Sequence, residues 1–105
     1  MSEPAGGQDA PDIWFTLEHR PGPAWRYDRP EFDQDFSEHF AFIGLLRERG
    51  LLVAGGPRPD QPGHGMIIIR GVDAPEVERL ATTVDMSTVH GLLEVTVRPW
   101  RVVVQ

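Results

Sequence analysis

His39 and Asp85 are the residues whose types and positions best suit proton transfer. His39 sits among Phe36, Phe40 and Ile43, where apolar residues recur at three- and four-residue steps. That places an imidazole near the middle of an apolar helical arc. Burying it costs free energy unless its nitrogens find partners. Such a histidine is either a core residue bonded to a backbone carbonyl or a general acid/base titrating near neutral pH. The second role needs an orienting carboxylate. Asp85 follows Val84 at the end of a predicted helix, where the helix dipole disfavours negative charge. A site residue can show a local misfit of this kind. Asp85 also reads as the N-cap of a following short turn, accepting from an amide near Ser87 or Thr88.

The other histidines carry weaker signals. His64 lies in a Pro-Gly-His-Gly connection, and His90 precedes Gly91 at a helix end that suits a cation. His19 ends a strand beside a long loop and could face a pocket there. None stands at a ligand spacing such as His-x-x-x-His, so neither a metal nor a cofactor is expected. The chain has no cysteine, which excludes thiolate nucleophiles, disulfides and Cys-ligated clusters. It also lacks a G-x-S-x-G elbow, a phosphate-binding P-loop and a G-x-G-x-x-G fingerprint.

These residues must be positioned by a small set of elements. Ile13, Phe15, Leu17 and His19 alternate with Trp14, Thr16 and Glu18, the period of a strand. Arg20 to Pro30 is rich in proline and reads as a loop able to supply Arg26 or Tyr27 to a site. Glu31 to Arg49 predicts a helix, with Phe32, Phe36, His39, Phe40, Ile43 and Leu46 within an arc of about 120°. Leu51 to Ala54 predicts a second strand ended by Gly55-Gly56-Pro57, and Met66 to Arg70 a central third strand. A second helix starts at the N-cap Asp73 and carries Val77, Leu80, Ala81 and Val84 on one face. A short turn closes at Gly91, and a last strand runs from Leu93 through Pro99, which marks it as an edge, or as bulged or bent there.

The order β-α-β-β-α-β is the ferredoxin-like plan, an α+β fold with two helices on one face of an antiparallel sheet. The other face would be bare, with Trp14 and Trp100 on it, and predicts a homodimer that covers it. Residues 1–11 read as a flexible tail and 12–105 as one domain, since 105 residues suffice for a single modest core. Ten basic residues, all arginine, against sixteen acidic ones give a net charge of −6, which argues against nucleic acid or an anionic membrane as partner. No long apolar run or secretory signal is visible, so a cytoplasmic protein is expected.

Several segments together resemble the YciI-like (YCII-related) family of small bacterial proteins. They are Ser37-Glu38-His39-Phe40, Arg49 through Pro57, Gly65 through Ile68, Asp85, and Glu94 through Trp100, in that order. The likeness spans roughly residues 12–104. It implies a fold that dimerises through its sheets into an α+β barrel, with a His–Asp pair at His39 and Asp85 and the Gly56-Pro57 turn bordering a pocket. A family-like enzyme is a dehydrochlorinase of a chlorinated hydroxyquinol, and the same barrel appears in muconolactone isomerases. Other YCII-type domains accompany transcription-factor modules. Many members carry Asp-Pro where this chain has Asp85-Met86, a change that removes a rigid turn.

The expected function is a cofactor-independent lyase or isomerase acting on a small cyclic or aromatic metabolite. Asp85 would hold one nitrogen of His39 while the other moves a proton, and Phe36, Phe40, Trp14, Gly56 and Pro57 would bind the substrate. The alternative is a non-catalytic dimer that binds a small ligand or a protein, with the pair serving as a structural bond. A haem or metal enzyme would require a histidine facing an open cavity.

Overall fold

The computed structural model describes residues 12–105, so the tail expected over residues 1–11 lies outside the described residues. Strand β1 (Asp12–Pro21) pairs antiparallel with both β3 (Gly65–Ile69) and β4 (Leu93–Val102). Strand β2 (Leu52–Pro57) pairs with β3, giving a sheet of order β2-β3-β1-β4. Between β1 and β2 lies helix α1 (Ser37–Glu48). Between β3 and β4 lie α2 (Ala74–Arg79), a π-helical turn (Leu80–Val84) and the short α3 (Met86–Val89).

The core forms on one side of this sheet. Phe15 and Leu17 of β1 and Ile67 and Ile69 of β3 pack against Phe42 and Leu46 of α1 and Val77, Leu80 and Ala81 beyond. Fully burying a side chain of this size contributes about 1.5–3 kcal/mol, so this layer fixes how α1 and α2 sit on the sheet. The alternation in β1 places His19 on the same side, and it too is buried.

Several expectations are corrected. The first helix starts at Ser37, not Glu31, after a 3₁₀ turn at Glu31–Asp33. Gln34 causes the break: its amide donates to Arg26 O at 2.7 Å and accepts from Arg26 N at 3.1 Å, holding the backbone extended. The helix then buries His39, Phe42, Ile43 and Leu46 to differing degrees, leaving Phe32 and Phe40 exposed. Gly55-Gly56-Pro57 is not a turn but the end of β2, an edge strand where the missing N–H of Pro57 is tolerated. Pro99 likewise lies within the edge strand β4.

The ferredoxin-like sandwich closing into a dimeric α+β barrel is also corrected. The structure is a small α+β domain with a four-stranded antiparallel sheet and three helices, and the sheet is open. It ends on β2 and β4, two edges that no strand closes among the described residues. On the outer face, on which the expected homodimer rested, Trp14 is covered, while Trp100 stays 43 % exposed and Glu94, Thr96 and Arg98 of β4 are open. Trp14 is only 7 % exposed, with Trp100 edge-on at 5.8 Å and the Arg70 guanidinium 5.2 Å above its ring. Arg20 adds a polar band there, bonding Glu94 at 3.2 Å and Thr96 at 2.8 Å.

Candidate functional site

Three elements converge on one buried point. β1 brings His19, the first turn of α1 brings His39, and the junction before α3 brings Asp85. The junction owes its shape to the π turn. Asp85 N donates to Leu80 O at 3.1 Å, five residues back, so the turn holds one residue more than an α-helical turn. Such a turn loosens the usual carbonyl partners. Thr82 and Thr83 hydroxyls donate to Glu78 O and Arg79 O at 2.7 and 2.6 Å and satisfy two of them. The extended backbone at Asp85 then ends the helix and turns its side chain inward.

The Asp85 carboxylate is fully buried. Its Oδ1 accepts from Ser87 N at 3.0 Å and from Ser87 Oγ at 2.6 Å, capping α3. Its Oδ2 lies 3.0 Å from His39 Nδ1. Burial alone would raise the pKa of this carboxyl. The hydrogen bonds from His39 and Ser87 outweigh it and hold the pKa below the ordinary value. The sequence presented cap and histidine partner as competing uses of Asp85, but each takes a different oxygen.

His39 keeps 11 % of its side chain exposed, with Ser87 Oγ a further 3.3 Å from Nδ1. With Nδ1 engaged, Nε2 is the nitrogen left for another group. His19 stands behind it, ring centroids 4.7 Å apart and planes 73° apart. His19 Nε2 lies 3.8 Å from Asp85 Oδ2, too far for a hydrogen bond, and is buried without a partner. Burial, reinforced by the charge of His39, lowers the His19 pKa from 6.5 to about 4, against the pull of Asp85 and of the Leu17 backbone. At neutral pH the site therefore holds an ionised Asp85 and a neutral His19.

The ligating atoms of His19, His39 and Asp85 all lie within 4.8 Å of one another, and two imidazoles with one carboxylate can hold a divalent metal. Linear spacing could not reveal this set, because its members come from three elements. The signal for His19 was its place on the core face of β1; nothing marked Ser87 beyond its place as a cap acceptor's neighbour.

The remaining expected residues divide. Phe36, at the N-cap of α1, and Phe40, within it, lie on either side of His39 in the chain, their rings 5.9 Å apart, and Phe36 also meets the buried Trp25 at 5.9 Å. Phe40 is 65 % exposed. Pro57 aligns through Gly65 with His19 and so lies on the histidine-bearing face, at the sheet edge. Gly56 and Trp14 lie on the opposite face, away from His39. Arg26 is tied to Asp28 at 3.0 Å, and Tyr27 is exposed. A cavity of about 280 Å³ beside Gly56, Pro57, Arg58 and Met66, and a cleft of about 480 Å³ beside Arg20, Thr82, Thr88 and Glu94, are lined by neither His39 nor Asp85. His90 pairs with Glu38 at the surface, where an ion pair contributes little.

No family model matches the chain, and no curated protein is detectably similar to it. Among the described residues, no helix is long and apolar enough to cross a membrane.

Proposed function

We propose that the chain is an acid/base enzyme of lyase or isomerase type acting on a small cyclic or aromatic metabolite, and that it belongs with the YciI-like proteins. One observation carries the enzymatic reading: His39 Nδ1 lies 3.0 Å from the fully buried Asp85 carboxylate. Asp85 accepts a hydrogen bond from the Nδ1–H, orients the ring and stabilises the imidazolium. Nε2 then removes a proton next to a carbonyl, or returns one to a leaving group, for roughly 10²–10⁴-fold in rate. The exposed Phe40 ring next to His39 offers an apolar wall to a planar substrate.

The test is C–H exchange in D₂O, followed by proton NMR across a panel of small cyclic enones, lactones and hydroxyquinols. The parent exchanges at least one acidic C–H, and His39→Gln slows that exchange by about 10²-fold or more. Equal rates for parent and His39→Gln across the panel reject the reading. A second reading is favoured by the position of both cavities away from His39: a non-catalytic binding module in which the pair ties α1 to α3. It predicts that His39→Gln lowers stability and leaves ligand binding at those cavities intact.

A further inference from the structure

The buried nitrogen of His19 plays no part in the acid/base reading. We propose that His19 Nε2, His39 Nδ1 and Asp85 Oδ2 form a mononuclear site for a divalent transition ion of the zinc type, with a coordination position left open.

His19 Nε2 is a buried polar atom without a hydrogen-bond partner, on a side chain 3 % exposed, and it faces the Asp85 carboxylate at 3.8 Å. Leaving such an atom unsatisfied costs about 1–3 kcal/mol. An ion held between these groups would satisfy it. With its proton on Nδ1, His19 presents the Nε2 lone pair, the tautomer a metal ligand requires.

Asp85 is held equally well. Ser87 occupies Oδ1 through both its amide and its hydroxyl, so Oδ2 remains for the ion. This is the outer-shell support that orients a ligating carboxylate. The ligating atoms, all within 4.8 Å of one another, need only small side-chain movements to approach the roughly 2.0–2.2 Å bonds that zinc makes to nitrogen and oxygen. Nitrogen and oxygen donors in this ratio suit zinc and its neighbours better than calcium or magnesium, which prefer oxygen alone. The ion enters beside His39, the member of the set that reaches solvent.

Occupancy has a chemical consequence. Coordination through Nδ1 moves the remaining imidazole proton to Nε2. The nitrogen that faces substrate then changes from acceptor to donor, and the ion replaces the His39–Asp85 hydrogen bond. The loaded protein therefore cannot use His39 as a base. Binding itself does not depend on the acid/base reading, since it requires His19 and that reading does not.

The test uses the full chain carrying His64→Gln and His90→Gln, which removes the surface histidines as ligands. Co²⁺ is titrated under visible absorption, and Zn²⁺ is titrated against a chromogenic chelator. One Co²⁺ per chain, with the intense d–d bands of a low-coordinate site, is expected. His19→Phe weakens Zn²⁺ binding by about 100-fold or more, because losing even an outer-shell partner costs 10–100-fold. No Co²⁺ spectrum, or an affinity indifferent to His19→Phe, overturns the site. Should His19→Phe fail to fold, ring ¹⁵N NMR of the background protein decides. Zn²⁺ must shift His19 Nε2 and His39 Nδ1, and unmoved resonances overturn the proposal. Failure of either arm leaves the C–H exchange of the metal-free protein untouched, so the two readings fail separately.

Discussion

His39 Nδ1 meets Asp85 Oδ2 at 3.0 Å across 46 residues of chain. The contact joins the first turn of α1 to the cap of α3, so it fastens two elements as well as polarising a ring. Its strength comes from surroundings that exclude water from the carboxylate. A buried carboxylate is tolerable only when its oxygens are bonded, and here His39 and Ser87 use both of them.

Removing that carboxylate should be costly. Asp85→Ala deletes a helix cap and leaves buried donors of Ser87 and His39 unmatched, for a loss of about 2–4 kcal/mol in urea unfolding. Asp85→Asn keeps a cap oxygen and should lose clearly less. Equal losses for the two variants would mean that the cap contributes nothing.

Acid should weaken the fold through His19. The unfolded chain takes up a proton below about pH 6.5, whereas folded His19 does so only near pH 4. Stability is therefore complete above pH 6.5 and falls by roughly 3 kcal/mol as pH drops through this window. Asp85 adds a further loss below the ordinary carboxylate range, because its folded pKa is depressed. Urea midpoints between pH 7.5 and 4.5 should show a slope that His19→Phe flattens. A slope unchanged by that substitution would contradict the buried neutral ring.

Two glycines should respond in opposite directions to alanine. At Gly22 a Cβ would stand 2.3 Å from Gly91 O, against backbone that cannot yield cheaply, so Gly22→Ala should cost about 2 kcal/mol or more. At Gly44, inside α1, a Cβ meets nothing within 4 Å. Gly44→Ala should stabilise by about 0.5–1 kcal/mol. Thermal unfolding of both variants measures the contrast.

Gln34 should protect the loop before α1. Its amide bonds the backbone of Arg26 twice, at 2.7 and 3.1 Å. Gln34→Ala leaves those groups unpaired in a partly buried setting and should cost about 1–2 kcal/mol. Limited trypsin digestion should cleave after Arg26 faster in this variant than in the parent.

Much of this was legible from side-chain period. The alternation of Ile13 to His19 marked β1 and its inward face, and Asp85 was identified both as a cap and as a partner for His39. The early start assigned to the first helix failed because a single side chain, Gln34, overrides the local pattern by bonding backbone eight residues away. Counting Phe32 and Phe36 as helical rotates the apolar arc toward Phe40; with the helix beginning at Ser37, Phe42 takes the inward position instead. Gly55-Gly56-Pro57 has the composition of a turn but lies on a sheet edge, where pairing with β3 decides. His19 could not be joined to His39 from the sequence, because only packing of α1 over β1 brings their rings together.

The π turn at Leu80–Val84 makes the site depend on chain length more than on composition. Thr82 and Thr83 could change without altering the bearing of Asp85. Losing one residue from this turn would swing that carboxylate by about 100° around the helix axis, away from His39. Proteins that share this arrangement should therefore conserve the interval between Val77 and Asp85 even where every residue within it has drifted. That interval, combined with a histidine on the first turn of the preceding helix, is a search pattern that residue similarity would overlook.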